Sequence, residues 1–385
     1  MNSPIGKILV TQPLVLPNDS RLFREPTRKY EDMTPNFLTR YDGHTIAVDV
    51  FCADGRLWFI GPSLFNLKDC AESSRIEIDG FEVNDFSWYD MSRISRFHTD
   101  IDGIIQEVKL DFGPEKFRVS PGADDLKSFE GRNVVITMNR DNKLENLRDW
   151  LTNFVVNHSI DSAIIYDNRS VTYSLKELAS ALLEVKGLER LYVVDWPFKF
   201  GNTGGPKQIW DSDFGIYMCW EHARWRFLQK ANSVFISDAD EYPVSSTNLT
   251  LVDHVEMAEA GALNYPVRNV PAVCRSEMSS ERIRLHSDYI YGDSRFGLFT
   301  KKVAYQPKRI PEGVQVGNHS FYGYEDKTSY TEDVIARHMR GIHYSWREDD
   351  WTYSHDERVF NPETDFLDED LKESLMETFP ERFKD

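Results

Sequence analysis

Three carboxylates stand directly after a short apolar run, and their types and spacing are those of a divalent-cation site. The apolar run is Ser233 to Ile236, and the acids are Asp238, Asp240 and Glu241. Side chains two positions apart on an extended segment project to the same side, so Asp238 and Asp240 would face one point. Like charges so close raise one carboxyl pKa unless a cation bridges them, and Mn²⁺ or Mg²⁺ suits such oxygen ligands. A solvated turn at a strand end is the alternative.

Two other groups of residues offer polar atoms for the same site. Asp167 and Asn168 follow an apolar run and supply an acceptor and an amide for a ribose or a base. A turn with Asx hydrogen bonds is an equally good interpretation. His319 and His343 each lie close to a glycine, and a neutral imidazole could complete a manganese shell. The alternative for both histidines is a structural hydrogen bond.

Arg337, His338 and Arg340 precede His343 and could neutralise a diphosphate, although solvated charges are the commoner explanation for such a run.

A sheet is needed to bring these residues together, and the pattern after residue 131 predicts one. Short apolar strands alternate with helical spacing, and Ser174 with Glu177 forms a capping-box signature before the second helix. Strand, helix, strand, helix, strand implies parallel crossovers and a mononucleotide-binding α/β half. Ligands of such sheets bind at the carboxyl ends of the strands. The residues at those ends are Thr137 to Asn139, Asp167 to Asn168, and the acids at 238–241.

The first part of the chain has a different pattern, with short alternating runs separated by Asp-Gly pairs that suit tight hairpins. This predicts an N-terminal, all-β, sandwich-like domain. The polar stretch from Ser120 to Asp125 marks a boundary. We therefore expect a β-rich domain at 1–125, an α/β domain at 131–360 and an acidic helix packed on the body at 361–385.

Composition narrows the class of protein. A formal net charge of −18 argues against nucleic acid and against anionic membranes as partners. Four cysteines without a Cys-x-x-Cys pair indicate neither a zinc knuckle nor a disulfide scaffold. The sequence contains no run of about eighteen apolar residues, so no membrane-spanning segment is predicted. We expect a soluble cytoplasmic protein, and a homo-oligomer is compatible with the sequence.

An ordered set of motifs resembles a known family. The chain resembles the bacterial "family 2-like" nucleotide-sugar glycosyltransferases of the GT-A fold, which are related to the family 92 group. The match spans roughly 133–350, and the motifs are Thr137 to Asn142, Leu147, Trp150-Leu151, His158, Ile164 to Ser170, Phe235 to Tyr242, Lys302-Val303, Gly317 to His319 and Ile342 to Tyr344.

The resemblance implies a Rossmann-like GT-A domain with a mostly parallel sheet. It implies that Thr137 and Asp167 line a nucleoside pocket, and that Asp238 and Asp240 form the Asp-x-Asp motif. Asp240 would be the direct metal ligand, with His319 as a third protein ligand. The family's first motif usually reads Lys-Asn-Glu, where this chain has Arg140-Asp141-Asn142.

We therefore expect metal-dependent transfer of a sugar from a nucleotide-diphosphate sugar, most simply a UDP-sugar, to a hydroxyl of a glycan or glycoconjugate acceptor. An inverting enzyme needs a carboxylate base, and Glu281 and Asp293 are the favoured candidates in the irregular segment after the strand at 261–267. The alternatives are a metal-dependent phosphohydrolase or nucleotidyltransferase, and a non-catalytic carbohydrate-binding protein.

Overall fold

The computed structural model describes residues 4–202, 204–205, 207–275, 282–342 and 357–384. The chain forms two compact units. Unit 1 comprises the chain up to Leu9, Gly131–Val194 and the chain from Ala231 onward. Unit 2 comprises Val10–Glu130 and Asp195–Lys230. Each unit is thus assembled from separate stretches of sequence.

The strands of the described residues are β1 to β24 in chain order. The first eleven are β1 (Ile5–Val10), β2 (Leu14–Val15), β3 (Thr45–Ala47), β4 (Asp49–Ala53), β5 (Arg56–Pro62), β6 (Arg75–Ile78), β7 (Phe81–Val83), β8 (Ser87–Asp90), β9 (Ile94–Asp100), β10 (Val108–Phe112) and β11 (Glu115–Val119). The others are β12 (Asn133–Asn139), β13 (Ser162–Asp167), β14 (Arg190–Asp195), β15 (Ser233–Ile236), β16 (Glu241–Ser245), β17 (Ala262–Val270), β18 (Tyr291–Asp293), β19 (Leu298–Tyr305), β20 (Gln315–Val316), β21 (Phe321–Tyr322), β22 (Ser329–Tyr330), β23 (Val334–Met339) and β24 (Asp365–Leu367).

The α-helices of the described residues are α1 (Phe37–Arg40), α2 (Lys68–Glu72), α3 (Leu144–Asn157), α4 (Leu175–Leu183), α5 (Phe214–Arg226), α6 (Leu251–Met257) and α7 (Glu369–Thr378). No helix among these residues is long and apolar enough to cross a membrane.

A large mixed sheet is the framework of unit 1. Nine of its strands follow the order β1-β14-β13-β12-β15-β19-β17-β23-β16, and β22 pairs with β17. Strand β12 is parallel to both β13 and β15. Beyond β15 the sheet changes, because β19 is antiparallel to both of its neighbours and β16 is antiparallel to β23.

The expectation of a mostly parallel sheet is confirmed for only part of the sheet. Parallel pairing holds for β13, β12 and β15, while the other half of the sheet is mixed. Strand direction is not visible in an apolar run, because a buried strand has the same composition in either orientation. The chain can turn back from β17 to β19 as an antiparallel neighbour without a crossover helix.

Helices α3 and α4 bury their apolar faces in one cluster with the sheet. The leucines of these helices that lie in the cluster are Leu147, Leu151, Leu178 and Leu182, and all are fully buried. Burying each such side chain stabilises the fold by roughly 1.5–3 kcal/mol. The capping box at the start of α4 is confirmed, since Ser174 Oγ accepts from Glu177 N and Glu177 accepts from Ser174 N. The α/β organisation predicted for this region is thus observed.

The C-terminal helix α7 packs within unit 1. Its fully buried residues Leu371 and Leu375 share an apolar cluster with Tyr242 and Met339. The Tyr242 hydroxyl donates to Thr378 Oγ1 at 3.0 Å. The helix therefore lies against the strand that follows the acidic residues.

Unit 2 contains two four-stranded antiparallel sheets, in the orders β11-β10-β6-β7 and β4-β5-β9-β8, together with the short pair β2-β3. Two predicted Asp-Gly hairpins are observed, at Asp54-Gly55 and Asp79-Gly80, where both residues of each pair have positive φ. Such angles are those of type I′ turns.

Helix α5 belongs to the same unit, so the expectation of an all-β unit is not confirmed. All thirteen residues of α5 are buried, and the helix contacts β4, β5 and β9. Polar side chains of α5 have partners: Glu221 lies 3.0 Å from Arg96, and His222 Nε2 lies 2.8 Å from Asp49. A helix that is buried on every side lacks an amphipathic pattern, so its sequence does not indicate which elements it packs against.

Candidate functional site

The centre of the unit 1 sheet contains a topological switch point. The chain runs from β12 to β13 and β14 on one side, and then returns to place β15 on the other side of β12. Because β12, β13 and β15 are parallel, their carboxyl ends lie at one edge of the sheet. Open α/β sheets bind ligands outside that edge, where the strand order reverses. The acids at 238–241 follow β15 at this position.

Those acids form a tight turn. Glu241 N donates to Asp238 O at 3.1 Å, and Asp238 N donates to Glu241 Oε2 at 2.9 Å. Helix α3 supports the turn, since the Trp150 indole donates to Ser237 Oγ at 3.3 Å. The Asp238 side chain is 37% exposed, whereas Glu241 is buried. Asp238 is therefore the carboxylate of this turn that faces solvent.

Lys302 places its ammonium between two of these carboxylates. Its Nζ lies 2.5 Å from Asp238 Oδ2 and 2.9 Å from Glu241 Oε2, and its side chain is completely buried. Strand β19, which carries Lys302, is held between β15 and β17. Asn264 Nδ2 donates to the Lys302 carbonyl at 2.9 Å. The lysine is thus fixed by the sheet itself.

The charges of Asp238 and Lys302 stabilise one another. Burial opposes ionisation of Asp238, but the Lys302 ammonium outweighs burial and lowers the pKa of the carboxyl. Burial likewise opposes the charged form of Lys302, yet Asp238 and Glu241 raise the pKa of its ammonium. The two residues are therefore an ion pair at neutral pH.

His338 lies beside Asp240 and Glu241 of the acidic turn. Its Nε2 is 3.5 Å from Asp240 Oδ2 and its Nδ1 is 3.8 Å from Glu241 Oε1. Burial favours the neutral ring, but Asp240 and then Glu241 raise the pKa of His338. Arg337, its neighbour in the sequence, is turned away to a two-point ion pair with Asp368 at 2.8 and 3.1 Å. Of these two residues, His338 is the one placed against the acids.

His319 is hydrogen-bonded at both ring nitrogens. Nδ1 lies 2.7 Å from Lys301 O and 3.2 Å from Thr300 Oγ1, and Nε2 lies 3.1 Å from Asn318 Nδ2. Donation from Nδ1 to the carbonyl leaves Nε2 as the acceptor of the Asn318 amide. Burial and the nearby Lys302 lower the pKa of His319, so the ring is neutral.

The described residues do not fit a divalent metal as they are arranged. They contain no group of three His, Cys, Asp or Glu side chains that could hold a metal ion. The ammonium of Lys302 contacts Asp238, and the Nε2 lone pair of His319 accepts from Asn318. His343, the other histidine in the predicted shell, lies outside the described residues. The expectation of Mn²⁺ or Mg²⁺ stays a prediction.

On the other side of β12, the residues predicted to meet a nucleoside are buried. Thr137 is fully buried. Asp167 accepts hydrogen bonds from Asn139 Nδ2 at 2.7 Å and from Ser170 Oγ at 2.6 Å. Asn168 N donates to Asn139 O at 2.7 Å. Burial raises the pKa of Asp167, and the hydrogen bonds from Ser170 and Asn139 act in the opposite direction. The structure thus joins Asn139, Asp167 and Asn168 in one network that fixes two strand ends.

The loop after β12 is tied to the loop after β13 by Asp141. This residue has a φ of 56°, and its Oδ1 accepts from Val171 N at 2.7 Å, Thr172 N at 2.9 Å and Thr172 Oγ1 at 2.9 Å. Burial opposes ionisation, but the amides of Thr172 and Val171 outweigh it and lower the pKa of Asp141. Asp141 therefore has a structural role at this position.

Arg140 stands at the switch point itself. It is the first residue after β12, and Ser237 N donates to Ile136 O at 3.2 Å where β12 and β15 run side by side. Arg140 is half-buried, and its Nε is buried without a hydrogen-bond partner. Among the described residues no carboxylate forms an ion pair with it. A guanidinium in this state can accept an anionic ligand. In the sequence, only its place in the first motif distinguishes Arg140 from other arginines.

The two candidate bases are Glu281 and Asp293. Glu281 lies outside the described residues. Asp293 is fully buried, and it accepts from Arg295 at 2.9 and 2.6 Å and from Arg358 at 3.0 Å. The hydrogen bond from Arg295 lowers the pKa of Asp293, which makes the carboxylate a weak proton acceptor. Its assignment as a base stays a prediction.

No protein-family model and no curated protein matches this chain. Among the solved structures that are similar to part of this chain are a synthase, TarS and WbbM. The 4-diphosphocytidyl-2C-methyl-D-erythritol synthase of Anaerococcus prevotii shares 10% identity over 48% of this chain and 72% of its own, with a TM-score of 0.26. A fragment of S. aureus TarS shares 12% identity over 55% of this chain and 61% of its own, with a TM-score of 0.30. The bifunctional glycosyltransferase WbbM shares 13% identity over 44% of this chain and 27% of its own, with a TM-score of 0.27.

The match spans less than two thirds of the second and third of these structures. At TM-scores this low, the similarities carry no argument about the fold or the function of this chain.

Proposed function

We propose that unit 1 is a glycosyltransferase that moves a sugar from a nucleotide-diphosphate sugar to an acceptor hydroxyl, with a UDP-sugar as the first donor to test. The observation that carries this proposal is that a positively charged side chain and a group of carboxylates both lie at the switch point. A half-buried arginine follows β12, and a carboxylate-rich turn follows the adjacent β15. A ligand that combines phosphate anions with hydroxyl donors suits both groups.

The anion side of this proposal rests on Arg140. Its guanidinium has no ion-pair partner within the described part of the chain, and a charge left unpaired in a partly buried place is costly. A diphosphate would supply two oxygens to its planar donors. In the reaction, the bond between the anomeric carbon and the diphosphate oxygen breaks, and Arg140 would stabilise the negative charge that develops on that oxygen.

The sugar side rests on Asp238. Its carboxylate keeps 37% of its surface exposed while one oxygen is held by Lys302. The exposed carboxylate can accept hydrogen bonds from sugar hydroxyls and so orient the anomeric carbon. The acceptor oxygen attacks that carbon, its proton passes to a base, and the nucleoside diphosphate leaves.

The nucleoside would lie along β12 and β13. The network of Asn139, Asp167, Ser170 and Tyr173 fixes the loops at the ends of these strands, with the Tyr173 hydroxyl 3.1 Å from Asn139 Nδ2. A rigid loop holds a base at lower entropic cost than a mobile one. These buried groups would shape the pocket rather than contact the base themselves.

The rival enzyme class, a metal-dependent phosphohydrolase or nucleotidyltransferase, also gathers acids at strand ends. Its acids must be available to the metal, whereas here Asp238 and Glu241 both contact Lys302. The arrangement therefore favours a site that binds the donor through the protein's own charges.

The test is a panel of UDP-, GDP- and ADP-sugars, incubated with the full chain in the presence of EDTA and, separately, of Mn²⁺. We expect thermal stabilisation by one nucleotide class and release of the nucleoside diphosphate on addition of an acceptor. Release of pyrophosphate or inorganic phosphate instead would assign the rival enzyme class. Sugar binding without nucleotide binding would assign a carbohydrate-binding protein.

A further inference from the structure

We infer that the Lys302 ammonium is the built-in counter-cation of the acidic turn, so that this turn binds no divalent metal ion. The part of this inference that concerns donor binding rests on the proposed function, while the part that concerns metal binding stands without it.

The ammonium occupies the position that a bridging cation would need. It lies 2.5 Å from one oxygen of Asp238 and 2.9 Å from one oxygen of Glu241. Divalent ions bind carboxylate oxygens at about 2.0–2.6 Å. An ion at that distance from Asp238 Oδ2 would lie against the ammonium, and two positive charges in so small a space repel each other.

The lysine cannot readily move aside. It is carried by an interior strand, with Tyr265 of β17 as its direct partner in the antiparallel register. Its side chain is completely buried, so displacement of the ammonium would separate it from Asp238 and Glu241 in the interior of the protein. Leaving a buried charge unpaired is strongly unfavourable.

The third carboxylate of the turn also has a basic neighbour. Asp240 lies beside His338 at 3.5 Å, and Glu241 has His338 Nδ1 at 3.8 Å as its second neighbour. Every carboxylate of the turn therefore has a basic side chain of the same unit beside it. This pattern indicates a set of internal ion pairs, and the exposed face of Asp238 stays available for a neutral hydroxyl.

Removal of the ammonium should convert the turn into a metal site. Lys302→Met keeps the length and the apolar stem but leaves Asp238 and Glu241 without their cation. Two carboxylates at this spacing are ligands that Mn²⁺ prefers. Lys302→Arg keeps the positive charge and is the matched control.

The experiment measures Mn²⁺ binding to the EDTA-treated full chain by electron paramagnetic resonance of free Mn²⁺. We expect no saturable site at the turn in the wild type or in Lys302→Arg, and one saturable site with thermal stabilisation by Mn²⁺ in Lys302→Met. Asp238→Asn in the wild-type background identifies the location of any wild-type binding. A wild-type site that disappears in Asp238→Asn overturns the inference, and a site that survives this substitution lies elsewhere and leaves the turn without metal, as inferred.

Two further arms keep the test decisive. If Lys302→Met does not fold, the wild type and Asp238→Asn still decide the question. Nucleotide-sugar binding is measured with EDTA and with Mn²⁺: equal binding supports the inference, and binding that requires Mn²⁺ and is lost in Asp238→Asn overturns it while the proposed function stands. Absence of nucleotide-sugar binding under both conditions overturns the proposed function, whereas the Mn²⁺ measurements decide the role of Lys302 by themselves.

Discussion

Arg382 and Asp149 form a two-point ion pair, with Nη1 2.6 Å from Oδ2 and Nη2 2.7 Å from Oδ1. The pair ties the last turn of the chain to α3. The residue next to Asp149 is Trp150, whose indole supports the acidic turn through Ser237. The C-terminal turn therefore contributes to the frame that holds the candidate site.

Arg382→Met should lower the free energy of unfolding by about 3 kcal/mol, because it leaves the buried Asp149 carboxylate without its main partner. Lys372→Met is the control, since Lys372 on α7 has only a loose, partly exposed pair with Glu369 at 3.8 Å. Surface pairs of that kind contribute about 0–1 kcal/mol. Urea denaturation of the two variants checks this, and equal losses in both would contradict it.

His158 gives unit 1 a predictable dependence of stability on pH. The ring is completely buried, its Nε2 lies 3.1 Å from Pro243 O, and burial lowers its pKa to about 4 from an ordinary 6.5. Between these values the unfolded chain binds a proton that the folded chain excludes, so stability rises with pH. The stability should be full above about pH 6.5 and should fall by about 3 kcal/mol as the pH drops toward 4.

His158→Gln is the comparison, because glutamine can still donate to the Pro243 carbonyl but does not titrate. Free energies of unfolding measured between about pH 7 and pH 5 should decline less in the variant than in the wild type. Identical slopes for the two proteins would show that His158 does not contribute.

Asp141 should be essential for the order of the two loops that flank the switch point. Asp141→Ala removes three accepted hydrogen bonds and leaves alanine in the left-handed region, and we expect a loss of about 2 kcal/mol. Asp141→Asn keeps an acceptor oxygen and tolerates this backbone, so it should retain most of the stability. Hydrogen exchange at the amides of Val171 and Thr172 is the direct readout: faster exchange is expected in the alanine variant only.

Arg140→Met should weaken nucleotide-sugar binding roughly 10- to 100-fold, since a charged hydrogen-bond donor contributes about 1.5–3 kcal/mol. Its melting temperature should match that of the wild type, because no ion pair with a described residue is lost. Arg148→Met is the control: Arg148 lies on α3, its side chain is 47% exposed, and it pairs with Glu184 at 3.4 Å. Equal affinities for Arg140→Met and Arg148→Met would remove Arg140 from the site.

The elements around the switch point could be predicted from the sequence because their signals are local. The leucines of α3 and α4 have helical spacing, and the capping box of α4 identifies its first residue. The turns at Asp54-Gly55 and Asp79-Gly80 follow from residues that accept positive φ. The acids after β15 were recognisable for the same reason, since strand and acids are adjacent in the chain.

Lys302 and helix α5 could not be predicted in the same way. Lys302 follows Lys301 in the sequence, and only the position of β19 between β15 and β17 determines that one of the two is buried among carboxylates. The burial of α5 depends on strands far earlier in the chain. Both features arise from long-range pairing, which a local pattern does not encode.

The interleaving of the two units limits how the chain can be divided. A truncation that begins at Gly131 would remove β1 from the edge of the unit 1 sheet, and it would retain α5 without β4, β5 and β9. The thirteen buried residues of α5 would then be uncovered, which is a liability for aggregation during expression. A fragment that contains unit 1 alone would need the excursion at 195–230 replaced by a short linker between β14 and β15, rather than a simple cut at the N-terminal boundary.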